Sequence, residues 1–279
     1  MKLITKSDVD RCREQENAHR ICFKYSHTNQ PKRADHSGVS YVGSFSLPFA
    51  DSIKPVFEHD TGLTLFPSRT GIGVWHSIRS ETDFCKITEW VKSQGSRIFL
   101  RDCLDMSIAM DQNLVDNTSG QYTTLGALEA AAKEEPNEQA ITALVELYCQ
   151  AIKNLACYRS AKLIAAVPPR PGKPYDLPST LARKIAKRLE LENLTVDFNF
   201  TDTKGSVKSL GLAEKWAAWE KAGLSLKRKL EGASAVVLID DKYQSGISIQ
   251  FVASRLQMAG AGKVYGLCAV KTLRDTDNM

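Results

Sequence analysis

The chain has 279 residues, 43% of them hydrophobic and 25% charged, the makeup of a globular protein with room for one large domain or two small ones. No apolar run approaches the ~20 residues of a membrane span, and the opening Met1-Lys-Leu-Ile-Thr-Lys-Ser-Asp8 lacks the apolar core of a signal peptide, so a cytoplasmic protein without a membrane partner is expected. The net charge of +5 is uneven: residues 159–230 hold 15 Lys/Arg against 7 Asp/Glu, a basic stretch suited to a pyrophosphate or a nucleic acid, and equally to a solvated helix face.

Along the chain, Ser7 is a candidate cap for a helix from Asp8 to Cys22, and residues 23–40 are polar enough for a loop. Strands are expected at Val39–Leu47 and Gly62–Phe66, and Ser80 precedes a helix over Thr82–Lys92 with Phe84, Ile87, Trp90 and Val91 on one face. Arg97–Leu100 reads as a strand. The polar segment Asp111–Thr123 is the best domain boundary, dividing residues 1–120 from 121–279. The five histidines all lie in the first 76 residues, at spacings that fit no zinc pattern. The seven cysteines form no Cys-x-x-Cys pair and read as buried thiols.

Beyond Tyr122 the pattern is regular. Helices are expected at Leu125–Lys133 and Asn137–Leu155, then a buried strand at Leu163–Val167 stopped by Pro168-Pro169. Pro178–Leu191 reads as a helix, Leu194–Phe200 as a strand, and Leu212–Lys221 as a helix. Ala235–Ile239 is an unbroken apolar strand, followed by helix Ile247–Met258 and strand Val264–Val270. Alternating strands and helices predict an α/β domain with a parallel sheet, preceded by an additional α+β region.

The densest signal is Ala235-Val-Val-Leu-Ile-Asp-Asp-Lys-Tyr-Gln-Ser-Gly-Ile-Ser248. It sets Asp240 and Asp241 at a strand end, where open α/β sheets bind ligands, and puts hydroxyls and a glycine where the next helix begins. Acids there suit ribose hydroxyls or a divalent cation; helix-start N–H groups suit a phosphate. The same residues also fit a tight βα turn capped by Asp or Ser. The stretch resembles the phosphoribosyl pyrophosphate motif of type I phosphoribosyltransferases, in which an acidic pair, two variable residues and Thr-Thr-Gly-x-Thr or a close variant follow an apolar strand. Val167-Pro168, Arg170, Lys173 and Leu181-Ala182 stand in the order seen in the ComF-like branch of that superfamily. The similarity covers residues 122–272. It departs from ComF proteins in lacking their Arg-Gly-Phe-Asn stretch, replaced here by Gly172–Pro178, and their N-terminal zinc cysteines.

The resemblance implies a phosphoribosyltransferase, a pentosyltransferase that displaces pyrophosphate from the ribose C1 with Mg²⁺ bridging pyrophosphate and ribose oxygens. It implies ribose and cation binding by Asp240 and Asp241, and a cradle for the 5-phosphate at Gln244, Ser245, Gly246, Ile247 and Ser248. It further implies pyrophosphate contacts from Arg170 and Lys173, and leaving-group stabilisation by Lys204 and Lys208 on a loop near Gly205. Residues 1–120 would supply the acceptor-binding hood. The expected partner is phosphoribosyl pyrophosphate or a nucleotide. The alternative is a non-catalytic nucleotide sensor or a nucleic-acid-binding module on the same fold. A homo-oligomer is compatible with the sequence, which has no signature for the acceptor.

Overall fold

The computed structural model describes residues 3–14, 18–35, 41–69, 71–169, 171–202, 211–230 and 234–273. The chain forms two compact units. One is the continuous segment Gln15–Arg101; the other joins Met1–Glu14 to Asp102–Met279.

The chain opens with α1 (Lys6–Arg13), much shorter than the helix expected from Asp8 to Cys22. Its cap is Thr5 rather than Ser7. Thr5 Oγ1 accepts from Asp8 N at 3.2 Å and Asp8 Oδ2 accepts from Thr5 N at 3.1 Å, a reciprocal capping box. Arg20–Cys22, expected to finish that helix, instead form a strand of the Gln15–Arg101 unit.

That unit holds β1 (Arg20–Cys22), β2 (Lys32–Arg33), β3 (Gly43–Leu47), α2 (Lys54–Thr61), β4 (Phe66–Pro67), β5 (Val74–Ile78), α3 (Glu81–Ser93) and β6 (Ile98–Leu100). β1 pairs antiparallel with β6, and an antiparallel sheet runs β2-β3-β5-β4. The strand expected at Gly62–Phe66 shrinks to its last residue, because Gly62, at φ 69, closes α2. Ser80 caps α3 as expected, accepting from Asp83 N at 3.1 Å. The interior is aromatic: Trp90 meets Phe57 edge-on at 5.0 Å and Phe23 at 5.3 Å, while Phe45 stacks on Phe57 at 5.5 Å.

The other unit continues through β7 (Met106–Gln112), α4 (Thr124–Glu134), α5 (Glu138–Asn154), α6 (Ala156–Arg159), β8 (Leu163–Ala166), α7 (Leu177–Leu189) and β9 (Glu192–Asn193). It ends with β10 (Phe198–Asn199), α8 (Leu212–Lys221), β11 (Ser225–Leu226), β12 (Ala235–Tyr243), α9 (Ile247–Met258) and β13 (Lys263–Lys271). Its five main strands are parallel, in the order β7-β13-β12-β8-β9. This is the α/β sheet the alternation predicts. Val236, Val237, Leu238 and Ile239 in its middle are fully buried, as an apolar run without alternation requires. Tyr148 of α5 donates to Asp240 O at 2.6 Å and Tyr158 of α6 to Gly266 O at 2.5 Å, fixing both helices to the central strands.

Three sequence expectations differ from this unit. β7 lies mostly ahead of the segment expected to be the boundary and belongs to the same sheet as β13, from Tyr265↔Met106 to Lys271↔Gln112. Leu194–Phe200 is not one strand. Asn193 Oδ1 accepts from Thr195 N at 2.9 Å, and Thr195 Oγ1 accepts from Ala166 N at 2.9 Å. These bonds turn residues 195–197 into a 3₁₀ helix, and β10 then pairs antiparallel with β11, apart from the main sheet. The third is β12, which runs on to Tyr243, so both acids lie within the strand rather than after it.

Candidate functional site

From β8 the sheet extends to β9 on one side and to β12 and β13 on the other. Such a reversal opens a crevice at the carboxyl ends of the strands, the usual ligand position in open α/β sheets. A cleft of about 480 Å³ lies there. Its wall includes Asp240, Asp241, Lys242 and Tyr243 from β12, Gln244, Ser245, Gly246 and Ser248 from the following turn, and Lys133 and Lys215 from α4 and α8.

The turn is shaped by one glycine. Gly246 has φ 73, and a Cβ there would stand 2.1 Å from the Tyr243 hydroxyl, so only glycine fits both the conformation and the space. Tyr243 is held in turn, donating to Asp102 Oδ2 at 3.1 Å; burial, then the Asp102 charge, keeps its phenol proton well above the ordinary range. Gly246 is the N-cap of α9, and no side chain caps that helix. The simple capping reading of Asp or Ser is therefore not what these residues do, and among the described residues no side chain is seen to take the first N–H groups of α9. Ile247 is buried and does not line the cleft; Ser248 does, while accepting from Trp219 Nε1 at 3.2 Å.

The two acids differ although they are adjacent. Asp241 is buried, and its Oδ2 lies 2.5 Å from Lys133 Nζ. Lys133 also donates to Glu129 Oε1 at 3.1 Å, one helical turn back along α4. Glu129 is fully enclosed, and Lys242 Nζ stands 2.9 Å from its Oε2, an ion pair without hydrogen-bond alignment. Burial alone would lower the Lys133 pKa, but the charges of Asp241 and Glu129 outweigh it and raise the pKa above the ordinary lysine value. Asp240 has no such partner among the described residues. Its Oδ1 accepts from Asp241 N at 3.0 Å, and part of the residue faces the cleft. Burial against the strand, followed by the Asp241 charge, pushes its carboxyl well above the usual carboxylate range.

Lys215 is 7% exposed and borders the cleft, with no anionic partner among the described residues. Sequence reasoning missed Lys133, Glu129 and Lys215. Of the expected residues, the structure brings Asp240, Asp241, Gln244, Ser245, Gly246 and Ser248 to one cleft. Lys173 does not line the cleft; its Nζ is 3.2 Å from Asp176 Oδ1, the residue that caps α7 and whose charge reaches Asp240. Arg170, Lys204, Gly205 and Lys208 lie outside the described residues. Among the described residues no group of three or more His, Cys, Asp or Glu converges as metal ligands, and no helix is long and apolar enough to cross a membrane.

Compared with known families and with curated proteins, the chain matches no family model and no curated sequence.

Proposed function

We propose that this cleft binds phosphoribosyl pyrophosphate or a related ribose 5-phosphate compound, and that the protein transfers the ribosyl phosphate to an acceptor or cleaves an N-glycosidic bond. The 5-phosphate sits on the turn from Gln244 to Ser248 and the start of α9, and the ribose hydroxyls face Asp240 and Asp241. The observation that carries this reading is Lys215. Its side chain is 7% exposed as a whole and borders the cleft, and no anion pairs with it among the described residues, which leaves a cation on the cleft wall without a protein counter-charge. A bound phosphate supplies that anion. The uncapped start of α9 favours the same charge.

The chemistry asked of such a site is mainly positioning and charge stabilisation. At the oxocarbenium-like stage, Lys133 and Lys215 balance charge on the departing group, and Asp240 orients the sugar. Incubation with phosphoribosyl pyrophosphate, Mg²⁺ and a panel of nucleobases should release pyrophosphate. Asn in place of both Asp240 and Asp241 should weaken phosphoribosyl pyrophosphate binding by about ten- to hundred-fold per residue, since each charged hydrogen bond is worth ~1.5–3 kcal/mol. Unchanged affinity in that double variant would remove the reading.

A second reading, a nucleotide sensor without turnover, draws on one specific feature. Asp241 already has an ammonium against its Oδ2, a finished ion pair that holds a ligand as readily as it assists a reaction. Tight binding with no pyrophosphate or free base released distinguishes it.

A further inference from the structure

The charge cluster behind the acidic pair bears on how the site manages its ligand's charge. Lys133 Nζ lies 2.5 Å from Asp241 Oδ2 and 3.1 Å from Glu129 Oε1. An ammonium has three N–H groups. One donates to Glu129 and the ammonium as a whole pairs with Asp241; it has no further protein partner among the described residues, and the side chain, 31% exposed, borders the cleft. Glu129, sealed from solvent and shared with Lys242, holds the Lys133 ammonium against Asp241 from behind.

A divalent cation does not fit this arrangement. At Asp241 it would meet a carboxylate oxygen already occupied by an ammonium, with Lys242 and Lys215 on the same wall adding repulsion. With Asp241 engaged, Asp240 is left as the one carboxylate of the pair open to a cation, the fewest that Mg²⁺ takes from a protein when waters and ligand oxygens complete its shell. We infer that Lys133 takes the place of the divalent cation: its ammonium neutralises Asp241 and offers its free N–H to a ribose or phosphate oxygen. The site therefore binds a ribose 5-phosphate compound without Mg²⁺. This rests on the ribosyl-phosphate reading of the cleft.

Ribose 5-phosphate is the suitable probe, because it has no pyrophosphate group to chelate Mg²⁺ in solution. In calorimetric titrations of the full-length protein, its Kd should agree within about three-fold between EDTA and Mg²⁺. Lys133→Met should weaken binding in EDTA by ten-fold or more, and Mg²⁺ should restore much of the loss because Asp241 is released. Lys133→Arg, which keeps a cation, should bind in EDTA. A readout independent of sugar binding uses Mn²⁺ in paramagnetic resonance. The wild-type protein should leave the free-ion signal intact and Lys133→Met should deplete it. That wild-type arm stands even if the variant does not fold. An affinity that rises more than about ten-fold with Mg²⁺, or Mn²⁺ captured by the wild-type protein, overturns the inference and leaves the ribosyl-phosphate site standing. Binding of neither ribose 5-phosphate nor phosphoribosyl pyrophosphate in either condition removes the site itself, and the inference with it.

Discussion

The two units solve the problem of an interior in opposite ways. Gln15–Arg101 fills its centre with Phe23, Phe45, Phe57, Trp90 and Phe99, and keeps a bidentate pair such as Arg33–Glu81, at 2.7 and 2.9 Å, at the surface. The other unit has an equally apolar sheet, yet at one end it encloses Glu129, Asp241 and Lys215. Rings add stability through area and edge-on contact. Enclosed charges are poor stabilisers even when paired, and a lone one is a liability. Where the second unit accepts charge inside, it does so at the carboxyl ends of its strands, where a ligand would sit.

That contrast can be broken by substitution, and the largest effect belongs to the aromatic unit. Trp90→Ala should destabilise by about 3–5 kcal/mol, the usual range for an aromatic removed from a core, with ligand affinity unchanged well below the melting temperature. Calorimetric melting and titration on the same sample check both halves. Next is Glu129→Gln, which leaves Lys133 and Lys242 without their shared anion. A fully enclosed pair broken this way loses about 3–5 kcal/mol. Here Lys133 and Lys242 keep 31% and 26% of their side chains exposed, so a smaller loss of about 2 kcal/mol is expected in urea unfolding.

Lys215→Met tests the reverse behaviour. Loss of a charged contact to phosphate should weaken phosphoribosyl pyrophosphate binding by about ten- to hundred-fold. The ligand-free protein should melt no earlier than the wild type, because Met keeps the packing of the largely buried stem and Lys215 has no anionic partner among the described residues to lose. An earlier melt with unchanged affinity would make Lys215 structural.

The smallest effect is pH-dependent. The Asp240 carboxyl is raised above its unfolded value, by burial first and by Asp241 second. Folding therefore favours its protonated form. The stability tied to this group is fully present below about pH 4, the unfolded carboxylate range, and is lost as pH rises through the folded pKa. Asp240→Asn should thus equal the wild type near that pH and gain on it towards neutrality, by roughly 2–4 °C in Tm for a chain of this size. Melting curves across the acid-to-neutral range would show whether the gap opens on the alkaline side; a gap that closes there would refute the assignment.

Much of this was legible locally. The apolar run before Asp240, the glycine after it and the helical stretch of α9 are all short-range signals, and the helix begins and ends where that stretch does. What failed needed partners far along the chain. Leu194, Val196, Phe198 and Phe200 alternate like a strand, but two hydrogen bonds through Thr195 fold residues 195–197 into a 3₁₀ turn and leave only β10 extended. The extension of β12 to Tyr243 depends on register with β13, where Lys242 pairs with Val270 and Tyr243 with Lys271. Lys133 was inside an expected helix, but nothing in α4 announces Asp241 as its partner. The one local hint was Glu129, an acid four residues before a lysine on an alanine-rich helix. Lys215 between Glu214 and Trp216 gave none.

The division of the chain also sets an order of events during synthesis. Gln15–Arg101 is continuous, so all of it has been made before most of the other unit exists. The parallel sheet is different: β7 and β8 emerge early, while β12 and β13, which lie between them, come last. Until then the exposed flanks of β7 and β8 have no neighbours to cover them, a condition that invites pairing with other chains. α1 waits as well, since Ile4 N donates to Gln257 Oε1 at 2.9 Å, near the end of α9. A chain interrupted before residue 235 would carry a finished aromatic unit attached to a sheet without its centre, and would lack the cleft at the end of β12.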